Sequence, residues 1–191
     1  MSESSPPPRP SEAPKRPEFA GIIRAPKEED LAALQSILEV WLCDSETKKQ
    51  CVEEIHGVLE RVRESMTGKN NYHYLVAEEG EEVLGMVGFR PVEDERMKPF
   101  AETDNPAEFI NAYVAPAHRA GRKIGQTLVT NLEQVARAAG FTEMLFNSGP
   151  RYKETAWKMY DRLLGPSVGI LKDFYGPGLD APVWRKAFKK E

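Results

Sequence analysis

The sequence predicts an α/β fold, a mixed central sheet of about seven strands flanked by four helices. Three observations predict it. Apolar residues recur at three- and four-residue spacing in four separate windows, and short β-rich runs bounded by Gly, Pro and Asn lie between them. The two kinds of segment then alternate as strand, two helices, three strands, helix, strand, helix, two strands, an order that builds one mixed sheet with helical layers.

The first strand is "FAGIIRAP", ended by Pro26. From Glu28 the pattern turns helical, with Leu31, Leu34, Ile37, Leu38, Trp41 and Leu42 on one face. A second helix is expected from about Glu46 to Met66, carrying Cys51, Ile55, Val58, Leu59, Val62 and Met66 inward until "KNN" breaks it. "YHYLVAEEGEEVLGMVGFRPV" reads as two strands around a tight turn at Gly80, whose four flanking glutamates suit a solvated hairpin tip. Residues 93–106 are polar with two prolines and read as a loop, and "EFINAYV" as the strand after it. A third helix runs through Leu128, Val129, Leu132, Val135, Ala136 and Ala139 and is stopped by Gly140. "TEMLFN" is a strand and Tyr152 to Leu164 a helix. "SVGILKDFY" and "APVWRKAF" close the chain as two strands around "GPGLD".

A length of 191 residues fits one domain with a tail. Six of the fifteen prolines fall in the first seventeen residues among Ser, Glu and Lys, too little apolar surface to offset the entropy of ordering. Residues 1–18 are therefore expected to be a disordered Pro-rich tail, and 19–191 the folded domain. No apolar run approaches the roughly 20 residues of a membrane span, and no secretory h-region opens the chain, so the expected setting is cytoplasmic with no membrane partner. Lys plus Arg number 26 against 30 Asp plus Glu, which argues against nucleic acid as a partner. Cys43 and Cys51 fall in expected helices and read as inert buried thiols, and no metal-ligand spacing occurs.

"AYVAPAHRAGRKIGQTLV", residues 112–129, carries the chemistry. An extended segment runs through Pro116 into a short loop with Arg119, Arg122, Lys123 and two glycines, and then into the third helix. Such a loop exposes unpaired N–H groups at the positive end of a helix dipole, and small residues let a phosphate approach them. It has neither a P-loop ending nor a G-x-G-x-x-G spacing. By itself it is equally an exposed charged turn with Gly121 and Gly125 there for backbone reasons.

From Gly21 to Phe188 the chain resembles the GNAT superfamily of acetyl-CoA-dependent N-acetyltransferases. "YVAPAHRAGRKIGQTLV" is similar to its pyrophosphate-binding motif A, and "AWKMYDRLLG" to its motif B, A-x-x-x-Y before the last strands. The loop departs from the common form by one inserted residue between Arg119 and Ile124 and by Lys123 where glycine is usual. Lys153 stands where an Asn often touches the pantetheine arm, and Asn147 is the substitute considered for it. The resemblance implies acetyl-CoA as cofactor, held by Tyr113, Val114, Arg119, Ala120, Gly121, Arg122, Lys123, Ile124, Gly125, Gln126, Asn147 and Tyr160. It also implies a splayed strand that leaves an N–H free to act as an oxyanion hole.

Amine attack needs a neutral nucleophile. A lysine-like amine with a pKa of about 10.4 is well under about 1 % neutral at pH 7, whereas a peptide α-amine near 8 is about 10 % neutral. A base is therefore useful. The resemblance implies Glu108 for it, by its distance before V-x-P, and Tyr160 as the proton donor to the departing thiolate. Each also has a plain structural use, as a strand-end carboxylate and a packed ring, and His73 and His118 read as structural. The implied activity is acetyl transfer to a primary amine of a small molecule or peptide N-terminus. The alternative is a catalytically silent acyl-CoA-binding sensor or scaffold, for which the Lys123 and Lys153 departures speak, with a loop for some other phosphate ligand as a third reading. The fold further implies an acceptor opening around Trp41, Tyr72, "VEDERMKPFAETD" and "DFYGPGLD", and pairing as a homodimer through the final strands.

Overall fold

The computed structural model describes residues 17–43, 51–119 and 121–188, so most of the Pro-rich tail, the start expected for the second helix and Ala120 lie outside the described residues. One seven-stranded sheet has the order β1-β2-β3-β4-β5-β7-β6. Its strands are β1 (Ile22–Arg24), β2 (His73–Glu79), β3 (Glu82–Pro91), β4 (Pro106–Val114), β5 (Glu143–Asn147), β6 (Gly169–Leu171) and β7 (Ala181–Ala187). All neighbours are antiparallel except β4 and β5, which run parallel. The helices are α1 (Leu31–Trp41), α2 (Val52–Thr67), α3 (Ile124–Ala138) and α4 (Lys158–Leu164).

Alternation along the strands divides the core between the two faces of the sheet. Leu75 and Ala77 of β2 pack with Leu128, Leu132 and Tyr160 from α3 and α4. Tyr74 and Val76, one step out of phase, pack with Leu34, Leu38, Val58 and Val62 from α1 and α2. On that second face the far half of the sheet is covered by the loop after β3, where Met97 meets Leu145 and Val183.

Several elements end elsewhere than the sequence suggests. α2 is closed by Gly68 at φ 65, a left-handed C-terminal residue, ahead of "KNN". β6 spans three residues rather than nine, because Asp173 at φ 51 turns the chain and its carboxylate receives the Gly178 N–H at 2.5 Å. Cys43 and Cys51 are half-buried and lie outside both helices, next to each other in the fold because Cys51 N–H donates to the Leu42 carbonyl at 2.8 Å. The helix expected from Tyr152 opens instead with a 3-10 turn at Pro150–Tyr152 and a π turn at Lys153–Trp157. The Trp157 indole N–H pins that turn by donating to the Ser148 carbonyl at 3.1 Å.

β1 is tied to α1 by a buried ion pair. Arg24 donates to both Asp30 oxygens at 2.7 and 2.8 Å, and the Lys27 N–H adds a third donor at 2.7 Å. The Arg24 hydrogen bonds hold the Asp30 carboxyl below the usual range. A carboxyl depressed by folding contributes stability that is present above the unfolded value of about 3.9 and is lost as pH falls through the folded one. Asp30→Asn is expected to cost about 1–3 kcal/mol at pH 7 and to flatten the acid limb below about pH 4, read from urea unfolding at both pH values. An unchanged acid limb in Asp30→Asn would assign that sensitivity to other carboxylates.

Candidate active site

β4 is the strand around which the site forms. Its ladder to β5 covers only Pro106 to Glu108, facing Glu143 to Leu145, so the two parallel strands part company beyond Glu108. On its other edge β4 carries a bulge against β3, where Met86 pairs with Tyr113 but Gly88 pairs with Ile110. Asn111, at φ 50, is the residue that takes up the extra length. The insertion switches the phase of the strand, so Phe109 packs toward α3 and α4 while Tyr113 packs toward α1 and α2. Between the splayed strands opens a cavity of about 1370 Å³.

At one end of this cavity stands the N-terminus of α3. No side chain caps it, and Gly121, Lys123, Ile124, Gly125 and Gln126 all line the cavity. Lys123 holds the left-handed conformation, φ 60, in the place just before the helix. The first N–H groups of α3 therefore face open space at the positive end of the dipole. A Cβ on Gly125 would meet only Met159 Sδ at 3.8 Å and Val114 Cγ2 at 3.9 Å, ordinary contacts, so protein packing does not itself require glycine there. The Arg119 guanidinium stacks on Trp41, 3.6 Å from the ring centroid, and its Nε is buried without a hydrogen-bond partner. Burial lowers its pKa, and no carboxylate pairs with it among the described residues. A half-buried cation with such a partnerless Nε is stabilised by an anion.

Arg122 does not share this role. Its guanidinium is buried behind the loop, where it binds both Glu79 oxygens, the Pro17 carbonyl at 3.1 Å and His118 Nδ1 at 3.0 Å. It braces the loop, leaving only its backbone for an anion. Lys123 meets Glu18 at 2.6 Å, and Ala120 lies outside the described residues. The Val114 carbonyl is likewise engaged, accepting the Trp41 indole N–H at 2.9 Å. Trp41 thus reaches the cationic end of the cavity, and its ring also meets Tyr152 at 5.9 Å.

At the other end the sheet presents Glu108, which is 4 % exposed, within the strand and not at its solvated start. Its cross-strand partner Arg90 donates to Oε2 at 2.9 Å, and Asn147 donates to Oε1 at 3.2 Å. Arg90 also donates to the Tyr72 hydroxyl at 3.0 Å and to Glu93 at 2.8 Å. Asn147 is held in turn by the Tyr175 hydroxyl. Tyr160 reaches the cavity from the opposite face of the sheet, between Phe109, Phe146 and Trp184, and no protein group among the described residues hydrogen-bonds its hydroxyl. Burial pushes its pKa well up, so it remains a phenol at neutral pH. The gap between β4 and β5 brings this phenol and the Glu108 carboxylate to one cavity from opposite sides of the sheet.

Thus Glu108, Tyr113, Val114, Arg119, Gly121, Lys123, Ile124, Gly125, Gln126, Asn147 and Tyr160 line one space. Arg90, Arg61 and Tyr152 line it too and escaped the sequence reading. Arg90 opposite Glu108 is a matter of strand register, which the bulge obscures. The acidic loop after β3 lies outside it, with Asp94 paired to Arg96, Glu95 to Lys98 and Glu102 to Arg185. Of "DFYGPGLD", Tyr175 and Leu179 reach the cavity. Among the described residues no helix is long and apolar enough to cross a membrane.

Comparison with solved structures gives the same architecture. A Desulfovibrio desulfuricans protein assigned to the GNAT family of acetyltransferases superposes with a TM-score of 0.69 at 21 % identity, over 88 % of this chain and 99 % of that one. The ribosomal-protein-alanine N-acetyltransferase of Brucella melitensis is 26 % identical with a TM-score of 0.62, covering 87 % and 99 %. A Salmonella typhimurium protein assigned as an acetyltransferase, and solved with its cofactor acetyl-CoA, is 21 % identical with a TM-score of 0.64, covering 90 % and 96 %. No protein with a curated function matches the sequence. The family model of the acetyltransferase (GNAT) family matches residues 34–165, more than half of the length, and with the splayed β4 and the uncapped α3 in place the chain belongs to that family.

Proposed function

We propose that the protein is an N-acetyltransferase that moves the acetyl group of acetyl-CoA to a primary amine of a small molecule or a peptide N-terminus. The observation that carries the reading is the cavity through the β4–β5 splay, with an anion-ready helix end on one side and a carboxylate and a phenol on the other. The residues fit acetyl-CoA on this chain's own geometry. The uncapped α3 N-terminus, the open Gly125 and the partnerless Arg119 Nε suit a pyrophosphate. The acetyl-CoA complex among the similar structures, and the Brucella protein's name, support the cofactor and the class of acceptor.

Bound acetyl-CoA supplies the activated acetyl thioester. The α3 N–H groups and Arg119 hold negative charge at one end of the cavity, with the exposed Lys123 ammonium beside them at the same loop. The unpaired edge of β4 beyond Glu108 offers preorganised N–H groups where charge develops during acyl transfer. Glu108, steadied by Arg90 and Asn147, takes the proton of the incoming ammonium, directly or through a water. Tyr160 is the proton donor facing the gap from the other side of the sheet.

Calorimetric titration with acetyl-CoA, followed by thiol release in the presence of an amine panel, tests the whole reading. Micromolar binding with amine-dependent thiol release supports it. Binding without release across the panel would leave a silent acyl-CoA module, and no binding at millimolar ligand would remove the cofactor assignment. For the phenol, Tyr160→Phe is expected to lower kcat about 10²-fold with KM for acetyl-CoA within about twofold. An unchanged kcat would return Tyr160 to a packing role.

A further inference from the structure

The geometry points to an acceptor that carries a carboxylate as well as its amine, an amino acid rather than a plain or polycationic amine, with Arg61 as the residue that selects it. This rests on the N-acetyltransferase reading above and names the acceptor class of the same site.

The charges of the acceptor half support it. Two acids there, Glu108 and Glu54, already have guanidinium partners, Arg90 at 2.9 Å and Arg151 at 3.7 Å. Arg90 divides its charge between Glu108 and Glu93, a largely exposed acid of the loop outside the cavity, so it does not by itself fully neutralise the proposed base. Arg61 also lines the cavity, and no carboxylate pairs with it among the described residues. Arg61 follows Glu54 by seven positions on α2, about two helical turns, which puts both on the face turned to the cavity. The Arg61 and Arg90 guanidinium carbons lie 5.9 and 5.7 Å from the centroid of the same Tyr72 ring. Tyr72 therefore stands between the Glu108–Arg90 pair and a half-buried guanidinium that has the Tyr74 hydroxyl but, among the described residues, no carboxylate as partner. An ammonium is favoured at the first and a carboxylate, bound by the planar guanidinium fork, at the second. An acceptor with only positive charges would leave Arg61 uncompensated and repelled.

The test compares an α-amino acid, its carboxamide and the matching plain amine as acceptors, at equal concentrations of free amine so that their different pKa values do not enter. The acid is expected to give a kcat/KM at least about tenfold above the other two, and Arg61→Gln to bring that ratio down by about the same factor. A merely structural role for Arg61 would lower all three acceptors together and leave the ratio standing, which overturns the inference. Equal rates for acid and amide in the wild-type enzyme also overturn it, while leaving acetyl transfer itself intact. No transfer to any amine would remove both this inference and the function on which it rests.

Discussion

Replacing Gly125 with valine is expected to weaken acetyl-CoA binding at least about a hundredfold while leaving thermal unfolding nearly unmoved. The two outcomes separate because the glycine faces a space rather than a neighbour. A first added carbon finds Met159 and Val114 at ordinary contact distance, so Gly125→Ala fits without strain. Its backbone is helical with no positive φ, so a side chain is conformationally acceptable and even favours the helix. The two further carbons of valine extend from a residue that lines the cavity, beside the first N–H groups of α3 where the pyrophosphate of the proposed cofactor is to approach. Calorimetry measures the affinity and differential scanning the fold. Wild-type affinity in a folded Gly125→Val protein would mean that the anion sits elsewhere. A graded series, small for alanine and large for valine, would locate it at this helix end.

The second large effect is expected from Glu108→Gln, a fall in kcat of about 10²-fold or more at neutral pH with KM for acetyl-CoA little changed. Glutamine keeps the shape of the side chain and can still accept the Arg90 hydrogen bond at the expense of the one from Asn147, while Arg90 retains Glu93 at 2.8 Å and Tyr72 at 3.0 Å. The strand is therefore preserved and the change is chiefly one of basicity. A pH profile distinguishes a base from a structural carboxylate. As pH rises toward the pKa of the amine, the neutral nucleophile becomes abundant without help, so the deficit of Glu108→Gln shrinks. A deficit constant across pH would instead assign Glu108 to holding Arg90 and Asn147 in place.

The alternating strands, the four apolar helical stripes and the glycine stop at Gly140, φ 90, were legible because each depends on residues close in sequence. The loop into α3 was legible for the same reason, since its basic residues, its glycines and the helix after it are contiguous. What local pattern misjudged were features decided by distant partners. Arg122 reads as a phosphate ligand from its position, yet Glu79 and Pro17 draw it behind the loop. Trp41 reads as an inward residue of α1, and its indole reaches the Val114 carbonyl, 73 residues away. The loop after β3 reads as part of the acceptor opening, and its Asp94, Glu95 and Glu102 pair with Arg96, Lys98 and Arg185 outside the cavity.

The sequence by itself determined the fold class, the family and the basic, glycine-containing segment proposed to hold the anion, because periodicity, caps and a loop motif are properties of consecutive residues. The tertiary structure alone decided which of those residues face the same space. A single inserted residue at Asn111 shifts the phase of β4, and the early parting of β4 from β5 opens the sheet. Through that opening Glu108 from one face and Tyr160 from the other share a cavity, while Arg61 enters it from α2 with no carboxylate partner among the described residues. Register and splay arise from the packing of whole elements against one another, so no short stretch of the chain records them.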